Sequence, residues 1–318
     1  MSKEPSGVLC LYKEAGMTSH DAVNKVRRLF HTKQVGHTGT LDPMATGVLP
    51  ILVGRAVKAS EYLLCDDKEY IAALQLGLTT DTEDIWGKTL TRCQTLPSKE
   101  EVLAVKERFL GDILQTPPMY SALKVGGQKL CDLARQNKEV ERSPRPIHIY
   151  SLEIEPLDEE NGLYRLKARV SKGTYIRTLC ADIGASLGCG AAMASLERSA
   201  GGPFTLEDTH KLSDVERMTD EERCSLLLPL ESLFSSLEGL QLPEFYGKLA
   251  SSGCPLYLKK LGCSYPEGTR LRLYRSGVFF ALGEVGIHPD GMAVKAVKQF
   301  VLFDGPSTKS ESKGGAPC

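Results

Sequence analysis

The chain has 318 residues, of which 42% are hydrophobic and 25% are charged, as in ordinary soluble globular proteins. This length is sufficient for a large core and for more than one domain. The formal net charge of −1 argues against a uniformly basic nucleic-acid binder, so any RNA would have to meet local clusters of basic residues.

Sequence signals for export, membrane insertion, disulfides, metals and nucleotide cofactors are missing. The apolar run near the amino terminus is too short for a signal peptide or a membrane span, and Glu4 and Glu14 interrupt it. The ten cysteines lack C-x-x-C spacing, and the six histidines lack metal-ligand spacing. No phosphate-binding glycine loop or nucleophile elbow is present. We therefore expect a cytoplasmic protein with reduced thiols, no metal and no cofactor.

The first predicted elements are a short buried strand at residues 8–12 and an amphipathic helix. Ser19 is a suitable N-cap for this helix, which we expect to extend to about Lys33. Its outer surface is basic through Lys25, Arg27, Arg28 and Lys33. Such a surface is either an ordinary solvated helix face or part of a channel for RNA, and the local pattern leaves both readings open.

Residues 36–50, with the sequence GHTGTLDPMATGVLP, form a glycine-rich segment that carries a single carboxylate, Asp42. Pro43 fixes its own φ and disfavours the α region for Asp42. We expect an ordered loop that presents this carboxylate in a defined direction. Asp42 is then either a catalytic nucleophile or acid/base, or a residue that merely caps a turn.

The next predicted elements are strands at residues 48–54 and 69–78, followed by the acidic loop TTDTEDIWG. A helix is predicted at residues 99–110, and a proline-rich segment with several lysines follows it. Residues 164–170 alternate apolar and basic side chains, which is typical of a strand with one solvated face. Apolar residues from Ile176 onward then recur at helical spacing as far as the glycines at 188 and 190.

Two tyrosines lie beside cations in these segments: Tyr70 follows Lys68, and Tyr175 lies between Lys172 and Arg177. Aromatic faces next to cations suit an extruded nucleobase and its phosphates. A lone tyrosine is more often a half-buried packing residue with a solvated hydroxyl, so the local signal for nucleic acid is weak.

The sequence changes character near residues 235–245. Residues 269–303 read as short strands with turns at Ser276-Gly277, Gly286 and Asp290-Gly291, and indicate a small β-rich domain. The last segment, GPSTKSESKGGAPC, has the small polar composition of a disordered tail.

The segment GHTGTLDPMATGVLP resembles, nearly residue for residue, the catalytic motif of the TruB-type tRNA pseudouridine synthases. Four further segments resemble the same family in the same order: LYKEAGMTSHDAVNKVRRLF, DKEYIAALQLGLTTDTEDIWG, QTPPMYSALKVGGQKLCDLARQNKEVERSPRPIHIYSLEI and VSKGTYIRTLCADIGASLGCGAAMASLERSAGGPF. The resemblance runs from about residue 7 to 235 and continues, more weakly, through a PUA-like carboxyl-terminal part.

This resemblance implies an α/β (α+β) pseudouridine synthase fold with a central mixed, mainly antiparallel sheet and an RNA-binding cleft. A small β-rich PUA-like domain would follow. We therefore expect a catalytic domain at residues 1–238 with a thumb-like RNA-gripping insertion at about 115–148. The PUA-like RNA-binding domain would occupy residues 239–304, and a disordered tail residues 305–318.

The resemblance also assigns roles to single residues. Asp42 corresponds to the catalytic aspartate, and Arg177 would pair with it. Tyr70 would stack on the flipped uracil and take part in proton handling, while Tyr175 would lie near the base. RNA-binding or pocket-lining positions would be His37, Lys13, Leu196, Thr40, Lys124 and Lys172. Glu14 departs from the family pattern because proline usually occupies this position.

The implied function is isomerisation of uridine 55 in the T arm of tRNA, with a tRNA-folding chaperone role as an addition. The protein would be cytoplasmic and monomeric, and would need neither a metal, a cofactor nor a membrane. Attack at C1′, a glycal route and attack at C6 all remain open. A basic channel for RNA would combine the helix residues Lys25–Lys33, the insertion residues 124–145 and residues Arg165–Arg177.

Three rival functions follow from the same sequence. The first is an RNA-folding factor that grips tRNA without catalysis, although Asp42, Tyr70, Tyr175 and Arg177 are all present. The second is a guide-RNA-dependent enzyme of ribosomal RNA, but no long lysine-rich tail is present. The third, a ribosome-associated structural protein of PUA type, would not need the glycine-rich catalytic loop.

Overall fold

The computed structural model describes residues 4–63, 67–121, 123–136 and 138–301. The described residues divide into two compact units, one before and one after the boundary between residues 233 and 234, and each has its own hydrophobic core. The tail predicted at residues 305–318 lies outside the described residues.

The strands of the first unit are β1 (Gly7–Lys13), β2 (Val35–His37), β3 (Thr46–Val53), β4 (Lys68–Leu76), β5 (Leu78–Thr80), β6 (Thr89–Arg92), β7 (Gly111–Gln115), β8 (Lys124–Val125), β9 (Gln128–Lys129), β10 (Arg145–Asp158), β11 (Leu163–Val170), β12 (Ala191–Gly201), β13 (Phe204–Thr205) and β14 (His210–Lys211). Its α-helices are α1 (Ser19–Leu29), α2 (Ser60–Leu63), α3 (Lys99–Ala104), α4 (Leu130–Arg135), α5 (Ile176–Ser186), α6 (Leu212–Arg217) and α7 (Asp220–Ser225). Short 3₁₀ helices occupy Gly54–Ala59, Val105–Arg108, Leu206–Asp208 and Leu230–Phe234.

A ten-stranded sheet forms the centre of the first unit, with the order β14-β1-β3-β12-β4-β11-β10-β7 and with β13 and β2 attached to β12 and β3. Among the described strands of this sheet, only the β1–β14 and β3–β12 pairs are parallel, so the predicted mixed, mainly antiparallel sheet is confirmed. The apolar side chains of α5 belong to the same buried cluster as those of the central strands. These contacts place the first turn of α5 next to the sheet.

Alternation along β11 separates its basic side chains from its buried ones. Arg165, Lys167 and Arg169 are exposed, whereas the residues between them are buried. Ala168 pairs directly with Tyr70 of β4, so Tyr70 lies on the buried face and the three cations lie on the opposite face. Each cation is paired there with an acid, namely Glu155, Glu69 and Asp67 respectively. The prediction that these three residues join one basic channel with Arg177 is therefore wrong.

Helix α1 begins and ends differently from the prediction. The N-cap is Thr18 rather than Ser19, because Thr18 forms a reciprocal capping box with Asp21. The helix ends at Leu29 rather than near Lys33. His31 has a φ of 49°, which is incompatible with a continuing helix, and the chain reverses there to pair β2 with β3.

Other boundaries were predicted more closely. Strand β4 stops at Leu76 because Gly77 has a φ of 77°, and the chain then continues as β5. The helix predicted at residues 99–110 is α-helical only to Ala104 and then tightens to a 3₁₀ helix. Helix α5 ends before Gly188, whose φ is 76°, as predicted.

The second unit contains a five-stranded sheet with the order β15-β17-β18-β19-β16. Its elements are β15 (Glu238–Leu242), α8 (Glu244–Ser251), β16 (Leu256–Tyr257), α9 (Leu258–Leu261), β17 (Arg270–Arg275), β18 (Val278–His288) and β19 (Gly291–Gln299). Turns at Ser276-Gly277 and before Gly291 are confirmed. The turn predicted at Gly286 is wrong, because Gly286 pairs with Ala293 and β18 continues through it. Glycine permits a turn without imposing one.

Candidate active site

The loop that carries Asp42 connects β2 to β3 and is bound from beneath by β1 and α1. The backbone N–H of Leu41 donates to Ser19 Oγ at 2.8 Å, and this hydroxyl donates back to the Leu41 carbonyl at 3.1 Å. The N–H of Gly16 donates to the Pro43 carbonyl at 2.9 Å. These bonds join the loop to the start of α1 and to the residues just before it, and they hold an irregular loop in one conformation.

Lys13 supports the same loop from the end of β1. Its fully buried Nζ donates to the carbonyls of Ala45 at 2.6 Å, Pro43 at 3.1 Å and Glu14 at 3.1 Å. Burial lowers the pKa of Lys13 to about 8, although Asp42 opposes this shift. Lys13 thus lies beneath the loop, and it is not among the described residues that line the cavity next to Asp42.

Arg177 joins Asp42 to two other segments. From the first turn of α5, its Nε lies 3.1 Å from Asp42 Oδ2, so the ion pair implied by the resemblance is present. Its Nη1 donates to the Thr82 carbonyl at 3.1 Å and lies 3.5 Å from Asp84 Oδ2. Its Nη2 donates to the Tyr120 carbonyl at 2.8 Å. The Arg177 side chain is 8% exposed and that of Asp42 is 43% exposed, so a fixed cation aims an accessible carboxylate.

A cavity of about 350 Å³ adjoins this ion pair. The predicted site residues in its wall are Thr40, Asp42, Tyr70, Tyr175, Arg177 and Leu196. Tyr70 is buried on β4, and Tyr175 immediately precedes α5 with its backbone bonded to the side chain of Gln115. Burial raises the pKa of the Tyr175 hydroxyl above its ordinary value. The wall of the cavity therefore holds the Asp42 carboxylate together with the guanidinium of Arg177 and the rings of Tyr70 and Tyr175.

The other predicted site residues lie outside this cavity. His37 lines a neighbouring cavity of about 670 Å³ whose wall also includes Asp42 and Arg177. Burial lowers the pKa of His37, as does Arg198. Lys172 is exposed between two residues of the first cavity, Ser171 and Gly173. Lys124 is exposed on β8, in the predicted insertion, and is not among the described residues of either cavity.

Two residues of the site, Arg198 and Asp84, were not predicted from the sequence. Arg198 of β12 is 1% exposed, lines the first cavity, and donates to the carbonyls of Val48 at 2.6 Å and Gly39 at 3.3 Å. Nothing in its local sequence distinguishes it from a surface arginine. Asp84 lies in the acidic loop that the sequence identified, but only the fold shows that this carboxylate meets Arg177.

Comparison with known proteins identifies the family. Residues 27–176 match the model described as TruB family pseudouridylate synthase (N terminal domain), and residues 177–235 match the tRNA pseudouridylate synthase B C-terminal domain. The chain belongs to the TruB family. It is 44% identical over 288 residues to the tRNA pseudouridine synthase B of Dechloromonas aromatica (strain RCB), covering 89% of this chain and 93% of that TruB protein. It is 41% identical over 280 residues to the protein of the same name from Clostridium tetani, covering 88% and 95%.

Solved structures agree with the TruB family fold. A Cbf5-Nop10-Gar1 complex matches with a TM-score of 0.69 and 24% identity, covering 93% of this chain and 85% of that chain. An archaeal box H/ACA sRNP Nop10-Cbf5 complex matches with a TM-score of 0.70 and 25% identity, covering 94% and 87%. The predicted pseudouridine synthase fold is thereby confirmed.

Two further observations concern the described part of this TruB family chain. Its described His, Cys, Asp and Glu residues contain no group of three or more that could hold a metal ion. No helix within the described ranges combines the length and the hydropathy needed to span a bilayer.

Proposed function

We propose that this protein isomerises uridine 55 in the T arm of tRNA to pseudouridine, with Asp42 as the catalytic carboxylate. The observation that carries the proposal is the Asp42–Arg177 ion pair in the wall of a cavity that also contains Tyr70 and Tyr175. The relatives named tRNA pseudouridine synthase B support the choice of tRNA as substrate.

The reaction requires no group beyond these side chains. The N1–C1′ bond breaks, the base turns, and a C5–C1′ bond forms, while one proton leaves C5 and N1 gains one. Asp42 would act by attack at C1′, by taking a sugar proton toward a glycal, or by attack at C6. Each route needs an ionised carboxylate held against the nucleotide, and Arg177 stabilises and orients that form.

The aromatic residues would hold the base. Extrusion of uridine from its stack costs a few kcal/mol. Stacking on Tyr70 would return about 1–3 kcal/mol of this cost. Because Tyr70 is 8% exposed, the base would enter a site that is largely shielded from water. Such shielding keeps water from capturing a sugar intermediate.

The proposal extends to the other predicted properties. We assign the protein to the cytoplasm, as a monomer, with Lys172 and Lys124 as contacts to the RNA backbone. His37 and Thr40 would shape the entrance for the flipped nucleotide. The PUA-like unit would bind RNA away from the target, and tRNA folding would accompany catalysis.

The first test incubates a synthetic T-arm stem-loop with wild-type protein, with Asp42→Asn and with the control Asp214→Asn, which changes an exposed acid on α6. We expect conversion at a single uridine, lost by roughly 10³-fold or more in Asp42→Asn while RNA affinity persists. Asp214→Asn should convert normally. Tight binding without conversion by the wild type would instead favour the RNA-folding factor, and conversion only with an added guide RNA would favour the guide-dependent enzyme.

A further inference from the structure

The acidic loop between β5 and β6 contains a half-buried acid, Glu83, that the proposed reaction does not use. Glu83 has a φ of 64°, in the left-handed region that residues other than glycine rarely adopt. Such a conformation persists only where the surrounding contacts hold it in place. Glu83 is not among the described residues that line either cavity at Asp42.

The contacts of Glu83 bind the loop to two neighbouring elements. Its Oε2 accepts a hydrogen bond of 2.5 Å from Thr178 Oγ1, on the first turn of α5. Its backbone carbonyl accepts from the N–H of Met193 on β12 at 3.0 Å. The side chain and the main chain of one residue therefore fix the loop against α5 and against the sheet.

The residues on either side of Glu83 both bind Arg177. The Thr82 carbonyl and the Asp84 carboxylate contact Arg177 Nη1 at 3.1 and 3.5 Å. Asp84 is itself oriented by Thr82 Oγ1, which donates to Asp84 Oδ1 at 2.7 Å. Thr82 and Asp84 thus bind Arg177. Glu83, which lies between them in the chain, binds Thr178, the next residue of α5.

We propose that Glu83 is a positioning residue whose bond to Thr178 sets the loop against Arg177 and thereby aims Arg177 Nε at Asp42. This inference rests on the proposed function, because it concerns the geometry of the same ion pair. Without the bond between Glu83 and Thr178, the Thr82 carbonyl and the Asp84 carboxylate are no longer held in place against the Arg177 guanidinium. The Asp42 carboxylate, which is 43% exposed, then loses the fixed partner that directs it. Catalysis is sensitive to misplacements of this kind.

The test compares Glu83→Ala, Glu83→Gln and Thr178→Val in the full-length protein on the T-arm stem-loop. Glu83→Ala should lower kcat by about 10–100-fold with KM changed by less than about threefold, as expected for a misplaced catalytic group. Glu83→Gln keeps an oxygen that accepts from Thr178 and should restore kcat to within about threefold of the wild type. Thr178→Val should reproduce Glu83→Ala, and the double variant should be no slower than either, because both remove one bond.

Two further variants separate this role from general destabilisation. Glu83→Gly relieves the left-handed strain but also removes the carboxyl, so it should be as slow as Glu83→Ala without being less stable. Glu222→Ala removes a carboxylate from the capping box of α7 and should leave kcat unchanged. Full activity in Glu83→Gly, or a Glu83→Gln variant as slow as Glu83→Ala, would overturn the proposal.

A readout independent of catalysis keeps the two proposals distinguishable. The NMR resonance of the Arg177 Nε–H group, assigned by its loss in Arg177→Lys, should shift in Glu83→Ala and stay in place in Glu83→Gln. An unchanged resonance in Glu83→Ala would overturn the positioning role even if conversion is slow. Failure of the wild-type protein to convert any uridine would refute the proposed function, whatever the resonance shows.

Discussion

Gly47 of β3 lies directly against the backbone of Arg198 of β12, where the two strands run parallel. A Cβ atom on Gly47 would lie 2.3 Å from the Arg198 carbonyl oxygen and 2.8 Å from its nitrogen. Above this contact, the Arg198 guanidinium binds the carbonyls of Val48 and Gly39. One buried side chain therefore bonds to the backbone on both sides of Asp42, at Gly39 and at Val48.

Substitution of Gly47 by alanine tests this close approach. Gly47 has a φ of 103° and Gly188 a φ of 76°, but nothing lies within 4 Å of a Cβ built on Gly188. Gly188→Ala should cost only the left-handed strain, about 1–2 kcal/mol in the free energy of unfolding. Gly47→Ala adds a collision with backbone and should cost about 3 kcal/mol or more. Urea unfolding measures both values, and equal costs would contradict the close packing of Gly47 against Arg198.

Arg177→Lys tests whether the shape of the guanidinium matters as well as its charge. A lysine offers one ammonium centre and cannot contact Asp42, Asp84 and the Tyr120 carbonyl at fixed angles. We expect kcat for conversion of the stem-loop to fall by about 10²-fold. The matched control is Arg165→Lys, which alters an exposed pair with Glu155 on the opposite sheet face. Comparable losses in the two variants would count against a geometric role for Arg177.

Asp182 of α5 makes the stability of the protein depend on pH. Burial raises its pKa from 3.8 to about 6, and the nearby Glu83 adds to the shift. Between pH 4 and 6 the folded state therefore binds more protons than the unfolded state, so this group destabilises the fold as pH rises through that range. Well above pH 6, the stability that the protonated Asp182 contributes is fully lost and no longer changes with pH.

Asp182→Asn removes this titration. The Tm of the variant minus the Tm of the wild type should become more positive from pH 4 to pH 7. Calorimetry at several pH values measures this difference, with Asp214→Asn as the control at an exposed acid on α6. A constant difference for Asp182→Asn would show that the carboxyl is not shifted.

Salt dependence distinguishes cations near the cavity from those on the opposite face of the sheet. Lys172 is exposed beside the cavity, whereas Arg165, Lys167 and Arg169 lie on the other face with acidic partners. If Lys172 contacts a phosphate, Lys172→Gln should reduce the slope of log affinity against log salt by about 1. Replacing the three β11 cations by glutamine should leave the slope unchanged. If the slope of log affinity against log salt fell by several units in that triple variant, RNA would bind on the opposite face of the sheet.

Local patterns predicted much of this fold. The alternation of β11, the glycine stop after α5 and the turn before Gly291 follow from side-chain period and backbone preference, which neighbouring residues determine. Local reasoning was wrong at the end of α1 and at Gly286. In both places pairing with the next strand along the chain decided the backbone: β2 pairs with β3, and β18 continues along β19.

The candidate site also contains some features that the sequence predicts and others that depend on the fold. The residues of the glycine-rich segment predict a loop that presents Asp42, and the family resemblance implies Arg177 as its partner. The fold was needed to show that Asp84 shares Arg177, that Arg198 holds the loop from within the core, and that the cations of β11 face away from Tyr70. These contacts join segments that are far apart in the chain. Their meeting depends on strand order and register, which no local pattern of residues encodes.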